Sequence, residues 1–193
     1  MEGSYYFYSS SKRRCVLGYQ LVLLVWVKGK KRVVLDAEIY QPESGQSKID
    51  IALAMISYAR NTLKIKPDFV LFDSWYSAKA IMKRLTDYGW GFVSRIKRNR
   101  LFNGKKLSLY RLNPYWNEAG LLAGGLKVRI VKNGKKFFVT NRLSLTRNQI
   151  LEIYRSRQSI EEVNKQLKYI GLNDCQCLSF KAQKQYVLSL IHI

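Results

Sequence analysis

Apolar positions along the chain fall into two repeats, one alternating and one helical, separated by turn residues. Residues 17–27 and 32–40 are rich in Val, Leu and aromatic side chains, and Lys28-Gly29-Lys30-Lys31 between them reads as a turn, which predicts a β-hairpin. Pro42 and Gly45 mark 41–46 as a loop. Residues 48–63 place Ile49, Leu53, Ile56 and Ala59 (or Tyr58) at helical spacing. Pro67 stops that run, and Phe69-Val70-Leu71-Phe72 is a short, continuously apolar strand of the buried kind.

Asp73 follows at once. Ser74 is placed to cap a helix on which Trp75, Ala78, Ile81, Met82, Leu85 and Tyr88 share a face. Gly89 and Gly91 close it, and residues 92–96 predict another strand. Residues 97–125 are basic and Gly-rich, with aromatic islands at Tyr110, Tyr115 and Trp116. Residues 127–131 and 136–140 flank Asn133-Gly134, a two-residue hairpin signal. From Thr146 to about Tyr169 the spacing is helical again. This order predicts an α/β sheet with a small β insertion before the last helix, and the chain carries no internal repeat or low-complexity tract.

Composition then narrows the partner. The 193 residues hold 34 Lys+Arg against 13 Asp+Glu, a net charge of +21, with 47% apolar and 13% aromatic residues. That length suits one domain with a real core, and so many apolar groups exclude a disordered basic tail. The charge points to a polyanion. Nucleic acid fits better than a membrane surface, because no long amphipathic stretch concentrates the cations. The most apolar run, 21–27, is far short of the ~20 residues that span a bilayer. The first residues lead to Lys12-Arg13-Arg14 rather than to an apolar signal core. A Ser-His-Asp triad, a Cys-His pair or a multi-His zinc centre would all have to use His192, the only histidine. Three cysteines make no disulfide framework, and Cys175-Gln176-Cys177 lacks a zinc ribbon's second ligand pair, so free thiols in a reducing cytoplasm are expected.

Two acidic positions remain as candidates for chemistry. Asp73 sits where a buried strand ends, the place where side chains of open α/β sheets leave the packed layer and face a crevice; a turn or cap aspartate is the plainer role. Tyr154, Arg157, Glu161 and Lys168 project within roughly a 60° arc of a single helix, about opposite Ile160, Val163, Leu167 and Ile170. That stripe sets a carboxylate among two cations and a phenol. It is equally compatible with a solvated face paired at i,i+4, and Ser159-x-x-Glu162 could be a capping box that divides the segment into two helices.

The spacing Tyr154-x2-Arg157-x3-Glu161-x6-Lys168 resembles the complete YREK signature of insertion-sequence transposases of the Asp-Asp-Glu (DDE) class. Asp73, in Val70-Leu71-Phe72-Asp73-Ser74-Trp75-Tyr76, resembles that family's strand carrying the second Asp, and Val93-Ser94-Arg95-Ile96-Lys97 resembles the basic strand after it. The resemblance covers nearly the whole chain. It implies an RNase H-like mixed sheet flanked by helices, with a β-rich insertion at about 98–145 before the last catalytic helix. It also implies cleavage and strand transfer of transposon-end DNA. Asp73 and Glu161 would be catalytic and hold metal, Mg²⁺ or Mn²⁺, in a site whose two ions stand about 3.5–4 Å apart. Tyr154, Arg157 and Lys168 would hold phosphates of double-stranded DNA, Arg157 by bidentate hydrogen bonds and Lys168 as a point charge. A homodimer in a synaptic complex, and a cytoplasmic, nucleoid-associated location in a prokaryote, complete what it implies.

The family's first Asp has no counterpart in this match, because Ser4 to Gln20 resembles the basic, glycine-containing stretch that follows it. Asp36 is the tempting substitute, but the resemblance puts it on the third strand, away from the metal pair. The chain is therefore expected to be a partial catalytic domain without its first strand, open at two sheet edges unless Tyr5 to Tyr8 fills the gap. Alone it is expected to fold poorly and to lack Mg²⁺-dependent nicking. A non-catalytic basic nucleic-acid-binding domain is the alternative, with the Tyr and Trp islands stacking on bases. Core packing is the commoner fate of residues such as Tyr115 and Trp116, and a wedge into DNA the other.

Overall fold

A computed structural model describes residues 3–9, 13–110 and 113–191, so Lys12 and His192 lie outside the described residues. Four strands come first: β1 (Tyr5–Ser9), β2 (Arg14–Gly18), β3 (Gln20–Lys28) and β4 (Lys31–Tyr40). Then follow α1 (Lys48–Asn61), β5 (Phe69–Phe72), α2 (Lys79–Asp87) and β6 (Gly91–Ile96). The insertion supplies β7 (Leu101–Phe102), β8 (Lys105–Lys106), β9 (Asn117–Leu122), β10 (Leu126–Asn133) and β11 (Lys136–Thr140). Three helices end the chain: α3 (Arg147–Arg155), α4 (Ser159–Tyr169) and α5 (Phe180–Ile191). Two compact units result, one of Met1–Ala59 with Ser159–Ile193 and one of Arg60–Gln158.

In the first unit the expected hairpin forms as β3 and β4, closing on Gly29 and Lys30 with Gly29 in the left-handed region at φ 59°. Its first strand starts later than expected. Leu17 and Gly18 belong instead to β2, which pairs with β1 in a separate two-stranded ribbon, so Tyr5 to Tyr8 joins neither of the other sheets. The hairpin buries Ala37 and Ile39 against Val187 of α5, with Phe180 and Ile191 packed around them. Val163 and Leu167 of α4 and Leu190 of α5 form a second cluster with Leu23, Val25 and Val34. A Lys184–Glu38 ion pair at 2.8 Å and an Arg32–Glu162 pair tie the helices to the strands. Helix α1 opens on a reciprocal cap, Ser47 N–H to Asp50 Oδ2 and Asp50 N–H to Ser47 Oγ. Its buried residues are Ile51, Met55, Ile56 and Ala59, not the expected Ile49 and Leu53, because 51, 55 and 59 stack at i,i+4.

The second unit is built on a seven-stranded mixed sheet in the order β5-β6-β11-β10-β9-β7-β8. β5 and β6 run parallel, and the other pairs are antiparallel. The insertion thus lengthens one sheet. The β10–β11 turn is Gly134 and Lys135, one residue past the expected dipeptide, with Gly134 at φ 56°. Val93, Val131, Phe138 and Ile150 pack as one core, joined by Phe69, Leu71 and Tyr154. Trp116 meets Phe102, Tyr110 and Phe137 ring to ring, so it takes the packing fate, whereas Tyr115 is 68% exposed under the Arg147 guanidinium.

Residues 73–78 contradict the expected helix start. α2 begins only at Lys79, with Ala78 rather than Ser74 at the cap position, and Trp75 is 60% exposed. Ile81, Met82 and Leu85 do form its buried face. The three cysteines are unbridged, and no helix among the described residues is long and apolar enough to cross a membrane. Thr146 caps α3 in a reciprocal box with Gln149. Thr146→Ala should therefore lower stability by about 1 kcal/mol in urea unfolding, with the m-value unchanged.

Candidate active site

Asp73 leaves the sheet at the carboxyl end of β5. Its Oδ1 accepts the N–H groups of Trp75 at 2.8 Å and Tyr76 at 3.4 Å, which bends the chain and delays α2. Its carbonyl lies 3.2 Å from the hydroxyl of Ser94, a fully buried β6 residue whose nearer acceptor is the Arg95 carbonyl at 2.8 Å. Asp73 is thus a turn aspartate as well as a candidate ligand, with its second carboxylate oxygen outside these bonds. In the parallel ladder Phe72 pairs with Ser94, so Asp73 and Arg95 come next on adjacent strands.

Helix α3 packs on β6 and β11, and the 3-10 turn Ser156–Gln158 that follows it packs on β5. The first of these seats the Tyr154 ring 4.9 Å from that of Phe138, and the second sets Arg157 beside it, 5.6 Å from the Tyr154 ring centre. The Tyr154 hydroxyl is buried beside the Arg157 guanidinium. Burial pushes its pKa up, the charges of Arg157 and Arg95 pull it down, and that of Asp73 raises it. Asp73, Arg95 and Arg157 therefore all act on Tyr154 within the second unit. Tyr76 belongs to the same surroundings: burial first and the Asp73 charge second push its phenol up to about 12.

The single-helix stripe is not what forms. Tyr154 lies in the last turn of α3, Arg157 lies in the 3-10 turn, and Glu161 and Lys168 are exposed on α4 in the first unit. Three residues advancing about 120° instead of 100° shift the helical phase by roughly 60°, the full width of the stripe. The break falls where Ser159-x-x-Glu162 allowed it. Val163 and Leu167 are buried as expected, while Ile170 lies past the helix end and is 42% exposed. Asp36 sits on β4 opposite Leu24, beside a bulge in the ladder. Burial raises its pKa, against the Ala37 N–H; Glu38 raises it further and Lys184 opposes. Among the described residues no three His, Cys, Asp or Glu side chains gather as a metal-binding group.

A groove of about 600 Å³ begins at Ser74 and is lined by Arg95, Lys97, Arg98, Lys106 and Lys135. The Lys97 ammonium lies 5.4 Å over the Trp75 ring. The basic stretch was visible in the sequence, with Arg95 in β6 and Lys97 just past its end. Lys106 and Lys135 arrive from distant hairpins and carry no comparable signal.

Asp73 thus stands at the end of a parallel strand in a mixed α/β sheet, with a basic groove beginning at the next residue. The family model for the transposase DDE domain matches residues 5–193, and the chain belongs to that family. Among solved structures, the chain is similar to the piggyBac transposase in a cryo-EM synaptic complex with hairpin DNA, at a TM-score of 0.65 and 12% identity. The match covers 98% of this chain and 41% of that one, so this chain spans about two fifths of its length. No curated protein matches the sequence.

The raised Tyr76 pKa has a consequence for stability. Its neutral form is favoured in the folded state, so the associated stability is intact below about pH 10 and is lost as pH rises toward about 12. Tyr76→Phe should remove that part of the alkaline loss, and Asp73→Asn should let Tyr76 ionise at lower pH, both read by phenolate absorbance and unfolding at each pH.

Proposed function

We propose that this chain is the catalytic part of a DNA transposase that cuts transposon-end duplexes and joins them to target DNA with Mg²⁺ or Mn²⁺. The observation that carries the reading is Asp73 at the end of β5, set among Arg95, Arg157 and the Tyr154 phenol. A carboxylate paired only with guanidiniums would be a structural ion pair. Here the cations continue into an open groove, as a phosphodiester requires.

The donors suit a hard cation. Asp73 has an oxygen outside its turn bonds, and Mg²⁺ takes one or two carboxylates and completes its shell with waters and substrate phosphates. Glu161 is the second ligand in this proposal. When bound, the metal supplies Lewis-acid activation of a water or 3′-hydroxyl and stabilises the leaving oxygen. Arg157 holds non-bridging phosphate oxygens through paired N–H groups, Lys168 adds a point charge, and Arg95 neutralises charge beside Asp73. The Tyr154 hydroxyl stays protonated at neutral pH and has a hydrogen bond to give. The full Tyr154, Arg157, Glu161, Lys168 spacing supports the YREK subgroup. Duplex DNA is the partner, a second copy joins in a synaptic complex, and the setting is the nucleoid of a prokaryotic cytoplasm.

Binding to an end-containing duplex, with and without Mg²⁺, tests this. Mg²⁺ should tighten binding by the wild-type chain and have no effect on Asp73→Asn or Glu161→Gln. Arg157→Ala should weaken binding about 10- to 100-fold, which corresponds to a hydrogen bond to a charged group at ~1.5–3 kcal/mol, and Arg157→Lys should recover only part. Metal-independent binding that Glu161→Gln leaves unchanged would replace the reading with a non-catalytic nucleic-acid-binding domain.

A further inference from the structure

The second unit carries another cationic groove, at the end of β5 and β6 away from Asp73. It has a volume of about 790 Å³ and is lined by residues that precede the two strands, together with Arg142, which follows β11. Arg60, Lys64, Lys66 and Arg142 face it, with Asp68 as the one carboxylate. Like charges so close repel, yet the two guanidiniums are fastened. Arg60 donates to the Tyr88 carbonyl at 3.0 Å and lies 4.1 Å over the Tyr88 ring, while Arg142 donates to the Gly89 carbonyl at 2.9 Å. Asn141 takes the next carbonyl, that of Trp90, at 2.9 Å. Gly91 lets the strands approach here, since a Cβ would stand 2.5 Å from the Asp68 carbonyl oxygen. Each guanidinium keeps N–H groups beyond these bonds, and neither Lys64 nor Lys66 has an ion pair.

We propose that this groove binds the phosphate backbone of duplex DNA, at a place separate from the one at Asp73. The four residues of β5 span ~13 Å at strand rise, and that length corresponds to about four base pairs of one strand. One phosphate cannot meet both ends, so the groove takes its own stretch of backbone. It offers no open ring for base stacking: Trp90 is 7% exposed, and the Tyr88 ring lies under Arg60. The attachment we propose is to phosphates, and is electrostatic. It rests on the reading of the chain as a DNA-handling domain and adds to that reading a second point of anchorage.

The test uses the full chain, a duplex without transposon ends, and no divalent metal. Lys64→Gln/Lys66→Gln is the groove variant, chosen because neither lysine holds the fold together. Lys28→Gln/Lys30→Gln, at the exposed turn of the β3–β4 hairpin, removes equal charge elsewhere. The groove variant should bind roughly fivefold more weakly than this control, and its slope of log K against log salt should be shallower by ~2, about 0.9 for each phosphate that is no longer neutralised. The duplex should also shield the Lys64 and Lys66 amines from acetylation, as read by mass spectrometry, and leave Lys28 and Lys30 reactive. Equal weakening in the two variants, or no shielding, would overturn the groove as a DNA site while leaving the proposed function standing. Shielding by polyglutamate as strong as by duplex would assign the groove to an acidic protein and overturn it too. A wild-type chain that binds no duplex would sink both readings.

Discussion

The parallel pairing of β5 with β6 is the constraint on which the candidate site depends. Parallel strands cannot be joined by a tight turn, so the chain must cross over through α2 and return in the same direction. Both strands then end on the same side. Register does the rest: with Phe72 opposite Ser94, Asp73 and Arg95 come next together. The buried Ser94 hydroxyl lies at that point between two carbonyls, 2.8 Å from that of Arg95 and 3.2 Å from that of Asp73. A slip of one residue would turn Asp73 and Arg95 to opposite faces.

Packing adds the remaining groups to this strand end. Ile150 anchors α3 to the core of β6, β10 and β11, and Tyr154, one turn on, lies against Phe138. The chain then tightens over β5 and presents Arg157. Arg157 is thus positioned by apolar packing made elsewhere, which holds its charge near that of Arg95. That arrangement costs stability in the free protein and favours binding a polyanion, because reorganisation has already been met in folding. The net charge of +21 is the same property at the scale of the molecule. In the second unit it is focused at both ends of the parallel strands, with Asp73 at one of them.

What the sequence discloses about this fold follows the range of each interaction. The β3–β4 and β10–β11 hairpins were legible because Gly29 and Gly134 mark turns beside alternating apolar runs. The place of Asp73 was legible because a four-residue apolar strand, Phe69–Phe72, ends just before it. The β1–β2 ribbon was not, since its residues alternate too weakly to separate from the hairpin that follows. Nor was the 3-10 turn at Ser156-Arg157-Gln158, which holds neither Gly nor Pro and packs against a strand more than 80 residues earlier. The distal groove is harder still, because Arg60 and Arg142 meet the same short segment from opposite ends of their unit.

In the proposed function Asp73 and Glu161 are each metal ligands. Replacing Mg²⁺ with Fe²⁺ and adding ascorbate and peroxide generates hydroxyl radicals at the bound ion, which cut the nearby backbone. In the presence of duplex DNA, polypeptide cuts are expected close to residues 73 and 161, both suppressed by excess Mg²⁺, the first abolished in Asp73→Asn and the second in Glu161→Gln. Cuts near only one of the two positions, or a cut that survives the substitution beside it, would contradict that reading.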